Sequence, residues 1–188
     1  GDLDLFFAGI AQIAMCDGLG ALPDLERPGP PIWSTIAHDP TAFLELRLCS
    51  VDWFERCIGA LVEAEEHVDL TGRSLIHGDI RSDNVCLAGS RAVFVDWSSA
   101  ARGNGTYNLA SVLASIHLEG GPSPYDVMPD GAGWAALDSA SLAQRAIQDQ
   151  ATPAWLQRVF KRLIVINLEW AANALGLPAP GGPKWNEV

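Results

Sequence analysis

The sequence predicts an α+β chain, mostly helical, with one small central β-hairpin unit. Three observations carry that reading. Apolar residues recur at helical spacing over residues 3–16, 51–68 and 153–175. Short β-branched and apolar segments interrupted by turn residues cluster between 74 and 97. Strands this few and this clustered exclude a doubly wound parallel sheet.

In order along the chain, Asp2 is placed to cap a first helix over 3–16, with Leu5, Phe6, Gly9, Ile10 and Ile13 on one stripe and Gly18 as its stop. Residues 20–37 read as a Pro/Gly-rich connection without periodicity. Asp39 and Pro40 suit the cap and first turn of a short helix reaching Leu48. Ser50 opens a longer helix over 51–68, with Phe54, Cys57, Ile58, Leu61 and Val62 on one face and acidic residues on the other. The β segments follow. Residues 107–118 then form a helix ended by Gly120 and Gly121. A polar, Pro-containing stretch runs to Gly133, and a helix follows near 138–150. Pro153 starts the strongest helix, to Leu175, with Gly176 as its stop. At that length it extends roughly 34 Å. The tail from Pro178 is Pro/Gly-rich and is expected to be loosely held. No internal repeat is present.

With 188 residues, 48% hydrophobic and 19% charged, the chain is a globular one. A chain of this length buries roughly 70% of its unfolded surface. Polar or charged groups interrupt its longest apolar stretches, so no membrane span is expected, and the acidic first residues do not read as a signal peptide. Cys16, Cys49, Cys57 and Cys86 lack C-x-x-C spacing, which points to reduced thiols and a cytoplasmic setting. A formal charge of −11 argues against a nucleic-acid partner and suits a cationic small molecule. The chain opens at Gly1 without a methionine, and a longer native chain is expected.

The stretch that carries chemistry is LIHGDIRSDNVCLAGSRAVFVDW, residues 75–97. Segments 85–87 and 91–95 flank Ala88, Gly89 and Ser90, which reads as a hairpin with a three-residue loop. In that register Asn84 faces Phe94, and Asp96 lies just beyond. Asp79 enters from a strand-like segment at 74–77. Oxygen-bearing side chains, without thiolates or paired imidazoles, suit a hard cation such as Mg²⁺. Left bare, Asp79, Asp83 and Asp96 would repel one another by roughly 1 to 4 kcal/mol per close pair. The plainer alternative makes these residues turn formers, favoured in loops by hydrogen bonds to their own backbone.

The segment HGDIRSDN at 77–84 resembles the catalytic loop of the aminoglycoside phosphotransferase family, relatives of the protein kinases, and VFVDW at 93–97 resembles that family's metal-binding segment. Asp79 and Asn84 are five residues apart, as in the kinase pattern H-R-D-L-x-x-x-N. NLA at 108–110 is similar to the family's Asp-Leu-Ala helix start. The resemblance implies a protein-kinase-like C-terminal lobe across residues 1–188. It implies Asp79 as the catalytic carboxylate, and Asn84 and Asp96 as ligands of Mg²⁺ at the phosphates of ATP or GTP. Arg81 then lies near the transferred phosphoryl group or is a solvated loop arginine. His77 supports the loop in preference to acting as base, and Asp83 is a turn residue. Asn108 replaces the family's aspartate, which anchors the loop, and weaker support is expected from it. No Gly-rich phosphate loop or strand lysine precedes the loop, so an N-terminal nucleotide lobe is expected outside these residues.

The activity implied is transfer of a nucleotide γ-phosphate to a hydroxyl of a small molecule, foremost an aminoglycoside-like aminated sugar or polyol. Glu119, Asp126, Asp130 and Glu169 are candidate contacts for a cationic acceptor, each with the alternative of an ordinary surface acid. A choline-like amino alcohol is the rival acceptor, with Trp134, Trp155 and Trp170 as cation–π partners or as core residues. A non-catalytic, kinase-like binding or scaffold module is the alternative of a different class. Retention of Asp79, Asn84 and Asp96 together argues against it.

Overall fold

A computed structural model describes residues 1–16, 20–27, 29–149 and 151–188. They are mostly helical, with two small antiparallel sheets, and the chain divides into two compact units.

The first unit holds residues 1–28 and 69–112. Helix α1 (Asp2–Met15) begins one residue earlier than expected, so Asp2 lies inside the helix and Gly1 takes the cap position. An acid in the first turn still faces the positive end of the helix dipole, which is why Asp2 suits either place. The expected stop at Gly18 lies outside the described residues. The helix buries Gly9, Ile10 and Ile13. A methyl group on Gly9 would sit 2.7 Å from the Phe94 ring, so glycine is what lets the neighbouring strand approach.

That strand belongs to the hairpin, and its register corrects the sequence reading. Strands β2 (Val85–Ala88) and β3 (Arg91–Phe94) pair with Val85 opposite Phe94 and Ala88 opposite Arg91. The connection is therefore two residues, Gly89 and Ser90, in place of three. Gly89 has φ 62°, and positive φ at the first central position of a two-residue hairpin is where glycine is favoured. Consequently Asn84 stands opposite Val95, whose amide donates to the Asn84 carbonyl at 2.9 Å. The second sheet pairs β1 (Ser74–Ile76) with β4 (Ala101–Gly103). Nothing in three residues as plain as Ala101, Arg102 and Gly103 signals a strand. Arg102 also ties in residues 23–25, exchanging backbone hydrogen bonds with Pro23 and Leu25 and an ion pair with Asp24 at 2.7 Å.

The second unit holds residues 29–68 and 113–188. Residues expected to be an irregular connection contain α2 (Ile32–His38), which buries Trp33 and Ile36. The signal for it lies 33 residues away. Glu65, fully buried, accepts hydrogen bonds from the amides of Ile32 at 2.8 Å and Trp33 at 2.9 Å, supplying the cap that Pro31 lacks. Glu65 therefore sits on the buried face of α4 (Val51–Glu66), not on the solvated acidic face expected of it. Ser50 caps α4 as read, accepting from the Trp53 amide at 3.1 Å. The helix expected from Asp39 and Pro40 to Leu48 shortens to α3 (Thr41–Leu44).

Helix α5 (Thr106–Leu118) starts in the first unit and ends in the second. The polar stretch after it contains the short α6 (Pro124–Val127). Helix α7 (Ala132–Gln148) starts six residues before the expected position, and the expected end, Gln150, is outside the described residues. Small side chains explain the early start: Ala135, Ala136, Ala140 and Ala143 are fully buried, and a methyl group on Gly133 would meet the Ala64 carbonyl at 2.9 Å. Alanine packs a close helix contact without an apolar stripe that periodicity would register. Helix α8 (Ala154–Leu175) matches its reading, with Gly176 at φ 65° as the left-handed stop. The tail is not loose. Its Pro180 carbonyl accepts from the Ser50 amide at 2.9 Å, its Pro178 carbonyl from Trp53 Nε1 at 2.7 Å, and its Val188 carbonyl from Arg162 Nε at 3.0 Å.

Candidate active site

Asp79, Arg81, Asn84, Asp96, His77 and Asn108 all fall in the first unit, and the β1 exit, the β2–β3 hairpin and the start of α5 bring them together. Gly78, between His77 and Asp79, has φ 81°, and a methyl group there would lie 2.3 Å from the Ser99 carbonyl oxygen. Only glycine makes that turn against that backbone. The chain then delivers Asp79, 38% exposed at its side chain, with Asn84 behind it. Asn84 is buried, and its amide nitrogen donates both to the Asp79 carbonyl at 2.9 Å and to Asp79 Oδ2 at 3.1 Å. The amide nitrogen is thereby committed to Asp79, and the oxygen is the atom of Asn84 suited to a cation.

Arg81 changes the electrostatics expected for the acids. Its Nε lies 3.4 Å from Asp79 Oδ1 and 3.2 Å from Asp83 Oδ1, so the carboxylates share a guanidinium and are not a bare repulsive cluster. At about half exposure this pair is solvent-screened, and it orients more than it stabilises.

His77 is fully buried and has both ring nitrogens engaged. The Asp79 amide donates to Nδ1 at 3.3 Å, which leaves the Nε2 hydrogen to the Val95 carbonyl at 3.0 Å. A neutral imidazole with the proton on Nε2 satisfies both contacts. The Trp97 ring lies over it at 4.4 Å between centroids. So fixed, the ring joins the loop at 77–84 to the end of the hairpin, with both of its nitrogens occupied.

Asn108 corrects the expectation of a weaker anchor. Its Oδ1 accepts from the His77 amide at 2.9 Å, and its Nδ2 donates to the Leu75 carbonyl at 2.8 Å. An aspartate offers the first bond but not the second. At full burial a neutral amide also avoids the cost of a desolvated charge. The departure from the family pattern is therefore a two-bond clamp.

Asp96 adopts φ 61°, ψ 68°, a left-handed conformation that a local hydrogen bond must hold. Ser98 supplies it, its hydroxyl donating to Asp96 Oδ1 at 2.7 Å and its amide at 3.4 Å. These Ser98 bonds, with smaller help from the charge of Arg81, hold the Asp96 carboxyl below the usual carboxylate range. Ser98, Trp97 and Gly78, which hold Asp96, cover His77 and make the turn before Asp79, were not singled out from the sequence. The left-handed Asp96 is the one feature that could have pointed to Ser98, through the Asx-turn pattern D-x-S.

An ionised carboxylate and an amide oxygen from adjoining segments are the hard donors that Mg²⁺ takes when phosphates and water complete its shell. Among the described residues no group of three or more His, Cys, Asp or Glu could hold a metal ion by itself. The two oxygen donors thus fit a shared site with nucleotide phosphates, not a closed protein cage.

The remaining sequence candidates lie in the second unit. Glu119, Asp126 and Asp130 are exposed. Glu169 is half-buried on α8, and burial pushes its carboxyl up against the opposing charges of His117 and Lys184. Trp170 is a core residue whose Nε1 donates to the Met128 carbonyl at 2.8 Å, Trp134 is partly buried, and Trp155 is 62% exposed. The four cysteines carry no disulfide. No helix among the described residues is long and apolar enough to cross a membrane.

The model of one protein family, described as the phosphotransferase enzyme family (APH), matches residues 11–145, more than half of the chain. Neither curated proteins nor solved structures gave a match.

Proposed function

From the premise that this chain belongs to the phosphotransferase enzyme family, a kinase-like group, we propose that it transfers the γ-phosphoryl group of ATP or GTP to a small-molecule hydroxyl. The observation that carries this is Asp79, a part-exposed carboxylate fixed at one oxygen by Asn84 and flanked by Arg81. In this reading residues 1–188 are a kinase-like C-terminal lobe. The acceptor oxygen bonds to the γ-phosphorus while Asp79 takes the hydroxyl proton. The bond from phosphorus to the bridging oxygen breaks, and the nucleoside diphosphate leaves with that electron pair.

Positioning supplies most of such catalysis, so the bonds that fix Asp79 matter as much as its charge. His77 and Asn108 hold the loop, Asn84 aims the carboxylate, and Arg81 offers a cation beside the γ-phosphate oxygens. Asn84 Oδ1 and Asp96 would hold Mg²⁺, which when bound neutralises phosphate charge. The net charge of −11 favours a cationic acceptor, an aminated sugar ahead of a neutral polyol.

Transfer of label from γ-³²P-ATP or γ-³²P-GTP to a panel of aminoglycosides, choline and neutral polyols tests the proposal on the full-length protein. Labelled acceptor is expected from wild type and strongly reduced from Asp79→Asn. Nucleotide binding without transfer to any acceptor in the panel would favour a binding module instead.

A further inference from the structure

Apart from the phosphoryl-transfer reading, helices α7 and α8 contain a polar pair that no catalytic role requires. Asn167, fully buried on α8, donates from Nδ2 to Asp138 Oδ2 on α7 at 2.6 Å. Its Oδ1 is also buried and has no hydrogen-bond partner. A buried carbonyl oxygen without a donor is rare, because its lost hydration is not returned. The side chain bonded to the amide nitrogen beside it is a carboxyl, which has a hydrogen to give only when protonated.

We propose that Asp138 and Asn167 form a proton-closed latch between α7 and α8. With the acid protonated, its Oδ1 hydroxyl donates to Asn167 Oδ1 while Asn167 Nδ2 donates to Asp138 Oδ2, closing a two-bond acid–amide ring. With the acid ionised, one bond remains and the amide oxygen is orphaned. The balance is a single proton taken from or returned to solvent, and the partial exposure of Asp138 as a whole residue leaves it a path.

The surroundings favour the protonated form. Burial of the carboxyl pushes Asp138 up to about 6, opposed by the Asn167 bond and by the charge of Arg145 farther along α7. Arg145 is itself placed over the Phe160 ring at 6.0 Å. Of the other charged groups on the elements packed against α7, Arg56, Arg158 and the acids of α4 other than Glu65 are exposed, Lys161 of α8 is part-exposed, and Arg162 of α8 donates to the Val188 carbonyl. Glu65 of α4 is bonded to the Ile32 and Trp33 amides, Glu169 of α8 lies in the fields of His117 and Lys184, and His38 of α2 is exposed. Helix α3 carries no charge.

The sign follows from linkage. Because the folded value lies above the unfolded one, the latch contributes fully below the ordinary carboxyl range and is lost as pH rises through about 6. Asp138→Asn replaces the acid by an amide that makes both bonds without a proton. Thermal unfolding of wild type and Asp138→Asn from pH 5 to pH 8 should show the variant gaining on wild type as pH rises, by about 5 °C, and levelling above pH 7. The ¹³C carboxyl signal of Asp138 in the wild-type protein should titrate near 6 instead of near the ~4 of an ordinary aspartate. A pH-independent difference between the two proteins, or a carboxyl midpoint near 4, would overturn the latch. If the variant does not fold, the wild-type midpoint alone decides.

Discussion

Asp79 Oδ2 takes one hydrogen bond, from an amide that also holds the Asp79 carbonyl. Asp79→Asn keeps an acceptor for that bond, so folding should survive, while kcat in the full-length protein should fall by roughly 10² to 10⁴. Steady-state kinetics beside a melting curve separate the two effects. Asn108→Asp should behave in the opposite way. It loses the donor to the Leu75 carbonyl and buries a charge, costing about 1–3 kcal/mol in urea unfolding, even though the substitution restores the family's usual residue. Ser98→Ala should let the Asp96 carboxyl titrate closer to the ordinary carboxylate range, read by NMR, because the hydroxyl bond, the larger of the two that hold it down, is gone while the amide bond stays. Asp96 in the wild type then stays ionised to lower pH than in the variant, and Mg²⁺–nucleotide binding should weaken in the variant first at mildly acidic pH. Asp79, Asn84 and Asp96 could be proposed from the sequence because phosphoryl-transfer chemistry calls for particular side chains at short spacing. Asn108's second bond was not, because its partner lies 33 residues away.

At the scale of elements, two constraints invite tests. Gly78→Ala forces a left-handed residue against the Ser99 carbonyl, so it should destabilise the loop and cut kcat together, by chemical denaturation and kinetics in parallel. A variant with wild-type stability and turnover would show that the loop has another way to turn. Glu65→Ala strips α2 of the acceptor for two amides, and a loss of about 2–4 kcal/mol is expected, with faster hydrogen exchange at Ile32 and Trp33. Helices α4 and α8 announced themselves because each carries a periodic face between clear start and stop residues. α2 did not, since its cap comes from α4, and the one-residue error at the hairpin came from assigning Ala88 to the loop instead of to the strand. That choice depends on backbone geometry at Gly89, which composition does not record.

For the molecule as a whole, the charge of −11 should act on encounter more than on fold. Raising ionic strength from about 0.05 M to about 0.5 M shortens the screening length several-fold. KM for an aminated acceptor should then rise while KM for a neutral polyol stays nearly constant. Equal salt response for both would remove the acidic surface from the account of substrate choice. The family match across residues 11–145 includes parts of both compact units.

The sequence by itself determined the helix-rich class and the phosphotransferase kinship, and it supplied the residues of the proposed site, because periodicity, capping and short motif spacing are local properties of a chain. Tertiary structure decided the rest: the pairing of Arg81 with Asp79 and Asp83, the engaged nitrogens of His77, the Asn108 clamp, the Glu65 cap and the docked tail. Most of these join a polar group to a partner distant in sequence. A buried donor or acceptor must be satisfied somewhere, but which partner meets it depends on how the elements pack.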